Sequence, residues 1–249
     1  MPISFPTRRR ATTDRVLNNM VRRLIDVFGS AALLLMASPI LLISSLAIWC
    51  TDRGPAFYRQ TRAGLGGRPF ELFKLRSMRV NDLPAVVMGQ VREEHPMVTP
   101  VGRWIRRFKI DELPQLLNVL RGEMTLIGPR PAIPEQAEQY TSFQRRRLIM
   151  PPGMTGWAQV NGSSRLSWPE RIVLDVWHVD HRSFWLDLRI LSRTIAVVLF
   201  GEEPNREALE QAIAYARRQA DDRELALRCS ATSTAKEGVP ACHDFGAYV

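Results

Sequence analysis

The chain is poor in the residues that build covalent or metal frameworks. Cysteine occurs three times in 249 residues, as Cys50, Cys229 and Cys242, too few and too scattered for a disulfide scaffold or a zinc site. This usage points to a reducing compartment. Of four histidines, His178 and His181 lie close in sequence, but without further ligands beside them we assign them no metal. Acid is also scarce: 25 Asp and Glu stand against 34 Lys and Arg, a formal charge of +9. That surplus asks for a polyanionic partner, a demand that nucleic acid, anionic lipid or a phosphorylated substrate would each meet. The glycine cluster Gly64-Leu65-Gly66-Gly67 lacks the GK[ST] ending and following helix of a phosphate loop, and reads as a turn.

Charge is missing altogether from Val27 to Cys50. As a helix those residues extend roughly 36 Å at ~1.5 Å per residue, enough to cross a bilayer and too long for a signal sequence. Arginines precede the run (Arg8, Arg9, Arg10, Arg15, Arg22, Arg23) and follow it (Arg53, Arg59, Arg62, Arg68), and the positive-inside rule disfavours exporting either flank. Ser38-Pro39 sits at mid-run. Pro39 removes a hydrogen bond and crowds the carbonyl of Leu35, and the Ser38 hydroxyl can bond back to a nearby carbonyl, so a kink is expected. Spanning helices also tolerate proline, so the residues alone leave a span and a re-entrant helix both open.

With 45% hydrophobic residues the remainder suits one compact domain with appendages. Phe57, Phe70, Leu72, Phe73 and Leu75 flank the glycine turn as a β-hairpin. Asn81 to His95 reads as a surface loop or short helix, and Val101 to Phe108 leads into the stretch Ile110 to Pro131. There Leu113, Leu116, Leu117 and Leu120 recur with helical spacing, Pro114 confines the helix start to the vicinity of Asp111, and Gly122 is its stop. Asp111 can simply cap that helix. Yet Asp111 and Glu112 lie together at its positive end, which favours their ionised forms, and Arg106, Arg107, Lys109 and Arg130 are close in sequence. Acid and base around one helix start suggest phosphate chemistry.

Further on, Glu135 to Arg147 reads as a helix ending in the run Arg145-Arg146-Arg147, a contact for anionic headgroups. Pro151 to Gly162 reads as a turn followed by a short strand. Trp168 to Val179 and the apolar Phe184 to Phe200 are expected helices, the second skimming a membrane or packing in a core. A charged helix, Asn205 to Leu227, precedes a tail whose last ~20 residues are expected to be mobile; no function is assigned to either.

The stretch Ile110 to Pro131 resembles the signature of bacterial sugar transferases, the small monotopic polyprenyl-phosphate phosphoglycosyl transferases, with Asp111-Glu112 in the place of their catalytic Asp-Glu pair. Further blocks follow the family's order from about Arg22 to Ile195: Ser38-Pro39, Lys74-Leu75-Arg76-Ser77-Met78, Pro152-Gly153-Met154-Thr155-Gly156 and Gln159-Val160-Asn161-Gly162. Relatives often place Arg directly after that last glycine; here Ser163 and Ser164 intervene before Arg165.

The resemblance implies an α+β, mostly helical fold. A basic segment (1–23) would lead into a re-entrant membrane helix hairpin kinked at Ser38 and Pro39 (24–52). A cytoplasmic catalytic domain with a short β-hairpin and interfacial amphipathic helices would follow (53–201), then a C-terminal helix and mobile tail (202–249). It implies transfer of a sugar 1-phosphate from a UDP-sugar to polyprenyl phosphate at the bacterial inner membrane, with release of UMP and Mg²⁺ as cofactor. Asp111 would be the nucleophile and Glu112 a metal ligand, while Lys74, Arg76, Arg106, Arg130 and Gln159 would bind substrate. Anionic lipids are further expected partners and nucleic acid is not; a homo-oligomer stays open. Two other classes fit the composition: a membrane-tethered nucleic-acid-binding protein, and a non-catalytic scaffold of a glycan assembly complex.

Overall fold

The structure, a computed structural model, describes residues 8–79 and 97–234. The segment read as a loop over 81–95 and the final residues of the tail lie outside these. The architecture is α+β and mostly helical, as expected. Helix α1 (Arg8–Asp52) is followed by strands β1 (Phe57–Ala63) and β2 (Pro69–Leu75) and by α2 (Pro100–Arg107). A 3-10 segment, Ile110–Gln115, runs into α3 (Leu116–Arg121), and then come β3 (Thr125–Ile127), α4 (Pro134–Glu138), β4 (Gly153–Thr155) and α5 (Trp157–Val160). Helices α6 (Trp168–Asp180), α7 (Phe184–Phe200) and α8 (Arg206–Thr234) complete the order.

Helix α1 inverts the usual burial pattern. Phe28, Leu35, Met36, Leu42 and Ile43 face outward, whereas Asp26, Ser30 and Ser44 are buried. Its 34-residue stretch Asn18–Thr51 is long and apolar enough to cross a membrane. The helix runs on through Pro39, and the Ser38 hydroxyl donates to the Leu35 carbonyl at 2.7 Å, the back-bond expected beside that proline. The body holds α1 at both ends of the apolar stretch. Arg23 donates to the carbonyls of Val119 and Leu120 (2.6 and 2.8 Å), satisfying the exposed end of α3, and Asp26 accepts from Thr125 Oγ1 and Leu126 N–H. Twenty-odd residues later Ile48 packs with Leu75, Ile105 and Ile110.

Strands β1 and β2 form the expected antiparallel hairpin, with Tyr58 opposite Lys74 and Arg62 opposite Phe70. Gly66 and Gly67 adopt φ of +65° and +81° in its turn, which glycine does without strain. Strands β3 and β4 pair in parallel. The largest apolar cluster joins Trp157, Val160, Leu174 and Ile190 with Ala208 and Ala212 of α8, so the C-terminal helix belongs to the core rather than to an appendage.

Two expectations are corrected. Glu135 to Arg147 is no single helix: α4 ends at Glu138, and a separate 3-10 turn spans Gln144–Leu148. Arg145 breaks the register by donating to the main-chain carbonyls of Glu138 and Tyr140. Further along the run Arg146 pairs with Asp180 at 2.7 Å, and Arg147 is buried against Asp175 at 2.5 Å and so faces inward. In Pro151 to Gly162 the strand is confined to Gly153–Thr155, and Gln159-Val160 belongs to the helical turn α5.

Candidate active site

The site begins where α2 ends. Thr99 caps α2 by accepting from Gly102 N–H at 2.9 Å, and the helix delivers Arg106 to its last turn. Lys109 then takes a left-handed conformation (φ +57°), and its carbonyl accepts the Glu112 N–H at 3.1 Å. Ile110 pins the segment into the apolar cluster beneath it. Because the first turn is 3-10, with three residues per turn, the buried face rotates off the leucine stripe: Leu117 is exposed, and Asn118 and Val119 are fully buried. Gly122 ends α3 at φ +83°, as its position in the sequence suggests.

Asn118 sets the register of the site. Its amide oxygen accepts from Phe73 N–H at 3.1 Å, and its nitrogen donates to the Glu71 carbonyl and to Glu123 at 2.6 and 2.7 Å. These bonds tie α3 to β2 on either side of Leu72, and the strand then brings Lys74 Nζ to Glu112 Oε1 at 3.1 Å. Arg130 reaches the same carboxylate from the other side, with Nη2 2.7 Å from Oε1 and Nη1 3.5 Å from Oε2. Its loop is held by Gly128 N–H to the Thr155 carbonyl and by Gly153 N–H to the Pro129 carbonyl, both 2.8 Å. A Cβ on Gly153 would stand 2.0 Å from Gly128 N, so the closeness of these two chains requires glycine there.

The neighbouring carboxylates are thus treated differently. Burial alone would raise the Glu112 carboxyl, but Arg130 and Lys74 outweigh it and hold the group well below the usual range. Asp111 is 8% exposed, and its carboxyl carries no hydrogen bond or ion pair among the described residues. Burial, and next the charge of Glu112, push it up to about 6, against the pull of Lys74, Arg106 and Arg130. The helix start was expected to favour the ionised form; desolvation wins, because a single 3-10 turn offers little dipole.

Of the residues singled out from the sequence, Lys74 and Arg130 thus contact Glu112, and Arg106, whose Nε donates to Ser77 Oγ at 2.8 Å, lies within electrostatic reach of Asp111. Arg76 and Gln159 are placed otherwise. Arg76 is buried with its guanidinium packed against Gly54, and Gln159 donates to the Met154 carbonyl at 2.8 Å. Arg62 was missed. Burial and the charge of Arg130 lower it to about 10, and it lies within electrostatic reach of Glu112. Cross-strand pairing puts Tyr58 on the face of Lys74, and the alternation of β1 carries Gln60 and Arg62 to that same face, so counting by twos from the opposite of Lys74 would have found it. Positive charge exceeds negative around the pair, as a site for a diphosphate needs.

The sequence model of the family described as bacterial sugar transferase matches residues 17–201. The chain belongs to the bacterial sugar transferase family. It is 42% identical over 183 residues to the sugar transferase EpsL of Bacillus subtilis, covering 74% of this chain and 89% of that one. Identity is also 42% with an undecaprenyl-phosphate glucose phosphotransferase of Komagataeibacter xylinus, over 72% of this chain and 36% of that protein, so this chain spans about a third of that relative. A third relative, a UDP-glucose:undecaprenyl-phosphate glucose-1-phosphate transferase of Caulobacter vibrioides, is 42% identical over 74% of this chain and 72% of its own. Membership makes this sugar transferase a phosphoglycosyl transferase. The family block contains the whole of the Asp111 site and ends one residue before Glu202.

Proposed function

We propose that the protein transfers a sugar 1-phosphate from a UDP-sugar to polyprenyl phosphate, giving polyprenyl diphosphosugar and UMP, the step that initiates a surface or glycoprotein glycan. The observation that carries this reading is the unequal pair: a buried carboxylate, Asp111, with no hydrogen bond or ion pair among the described residues, beside one immobilised by two cations, Glu112. Asp111 attacks the sugar-proximal phosphorus, the phosphoanhydride bond to UMP breaks, and an aspartyl phosphosugar forms. An oxygen of polyprenyl phosphate then attacks the same phosphorus, the bond to Asp111 breaks, and its carboxylate is regenerated. Arg106, Arg130 and Lys74 hold the diphosphate and meet the charge that develops on it. Arg76 and Gln159 remain candidates for the outer parts of the substrate.

Mg²⁺ suits the donor set. It takes one or two carboxylates and completes its shell with phosphate oxygens and water, and among the described residues no group of three acidic, His or Cys side chains exists to hold it alone. Glu112 would hold it together with substrate, yielding one of its cation partners. Bound there, it neutralises charge on the diphosphate.

The same reading places 24–52 in the cytoplasmic leaflet of the bacterial inner membrane, entering and leaving on one side with its kink at Ser38-Pro39, and 53–201 on the cytoplasmic face. Support comes from α1 being tied to one body at Arg23 and Asp26 and again at Ile48. A helix perpendicular to the bilayer would carry those ends to opposite surfaces.

Release of UMP from a panel of UDP-sugars with polyprenyl phosphate tests the activity; no release from any of them rejects it. For topology, Phe5→Cys and Gln60→Cys, each in a chain whose own cysteines are serine, should both escape an impermeant thiol reagent applied to intact cells. Labelling at position 5 alone would establish a span.

A further inference from the structure

We infer that Glu202 is a positioning residue for the catalytic pair, acting through Lys109 from outside the family block. Gly201 turns the chain sharply out of α7 at φ +96°, and Glu202 follows with its side chain 11% exposed. Its carboxylate joins two segments of the site. Oε1 accepts from Lys109 Nζ at 2.8 Å, and Oε2 accepts from Ser164 N–H and Oγ at 2.9 and 2.5 Å. Three residues on, Asn205 donates its N–H to the Asn161 carbonyl at 3.1 Å, while its side chain accepts from Ala208 N–H at 3.1 Å and caps α8. Residues 202–205 are thus strapped to the turn at 161–164 and anchored by a helix whose Ala208 and Ala212 lie in the core.

Lys109 is the other end of the strap. It is the left-handed residue between α2 and the 3-10 segment, and its carbonyl holds the Glu112 N–H. A lysine in that conformation is held by its surroundings, and its side-chain contact is with Glu202. Lys109 also lies within electrostatic reach of Glu112. Released from Glu202, its ammonium would be free to turn further toward Glu112 and onto Asp111 beside it, pairing the carboxylate that is to attack. Glu202 therefore keeps the hinge in place and its charge turned aside.

The assignment rests on the proposed aspartyl mechanism, so the test reads the half-reaction, UMP release from UDP-sugar without acceptor, in the full chain. Glu202→Gln keeps an acceptor for Ser164 and removes the charge from Lys109. It should lower kcat about tenfold with KM within about twofold and an unchanged melting temperature, and Glu202→Asp should recover part of the rate. Lys109→Met should be slow as well, and the Lys109→Met, Glu202→Gln double variant no slower than Lys109→Met alone. Additive losses, a loss confined to KM, or wild-type kcat in Glu202→Gln would overturn the role. Absence of the half-reaction from the unaltered enzyme would reject the aspartyl mechanism itself, and this assignment with it.

Discussion

Two buried acid–base centres lie on either side of Arg130, and they are built differently. Toward β2, the Arg130 guanidinium, Lys74 and Glu112 form one ionic group, with Asp111 unpaired among the described residues beside it. Away from it, the Arg130 carbonyl accepts from Arg147 at 2.7 Å, and Arg147 in turn holds Asp175 Oδ2 at 2.5 Å and the Tyr140 hydroxyl at 2.7 Å. In the second centre one guanidinium serves one carboxylate, both about 2% exposed or less, with Tyr140 and Trp168 around it. Asp175 Oδ1 has no hydrogen bond among the described residues, and burial pushes this carboxyl, like that of Asp111, up to about 6 despite Arg147. In the first, cations are in excess and a carboxylate is left over. A closed pair is costly to break, because the remaining charge is left buried, whereas an open one leaves affinity and reactivity for a ligand. Burial of an ion near arginines does not distinguish them; the count of partners does.

Removing each aspartate should therefore have opposite consequences. Asp111→Asn should lower the half-reaction more than about 10⁴-fold, as loss of a nucleophile does. It should also stabilise the protein at pH 7.5, by about 1–2 kcal/mol, because the folded carboxyl sits above its unfolded value, at about 6. A group raised in this way contributes stability below the unfolded value that is lost as pH rises through 6, so the gain from Asn should vanish at pH 4. Melting curves at the two pH values check this.

Asp175→Asn should do the reverse. It leaves Arg147 buried without its counter-charge, at a cost of about 3 kcal/mol in unfolding free energy. Denaturant midpoints measure this loss. Activity at temperatures where the variant is folded should fall far less than in Asp111→Asn, because Arg147 meets the site through the Arg130 carbonyl rather than through either carboxylate of the pair.

Arg130→Lys keeps charge but loses the two-pronged contact with Glu112 and with phosphate, and turnover should fall on the order of 10²-fold. Near-normal turnover would remove Arg130 from the open centre. The smallest effect concerns pH. If Asp111 must be ionised, the half-reaction should rise about tenfold per unit up to pH 6 and then level off. Glu112→Gln removes a neighbouring negative charge and frees Lys74 and Arg130 for Asp111, so the acid limb should move to lower pH. A limb that stays in place would show that the titrating group is not Asp111.

The closed centre could hardly be read from the sequence. Arg147 looks like one of three exposed arginines, because its partner Asp175 lies 28 residues away on α6 and nothing local marks the pairing. Arg145 dissolves a regular helix through main-chain contacts that no periodicity encodes. The open centre was largely legible. Pro114, Gly122 and the adjacent carboxylates bound a short turn by local chemistry, and the hairpin that carries Lys74 announces itself by its glycines. What escaped depends on packing: the 3-10 start that rotates Asn118 inward, the pairing that puts Arg62 on the face of Lys74, and the strap from Glu202. Helix α7 was placed to the residue from its apolar positions, and the structure caps it with Ser183 and ends it at Gly201.

The unpaired state of Asp111 matters only if that carboxylate forms a bond. Mass spectrometry of the wild-type protein after incubation with UDP-sugar, without lipid acceptor, should find a phosphosugar on the peptide that contains Asp111, together with released UMP and with no such adduct in Asp111→Asn. UMP that appears only when polyprenyl phosphate is present, with no adduct trapped on any peptide, would mean direct transfer between the two substrates and would contradict this account.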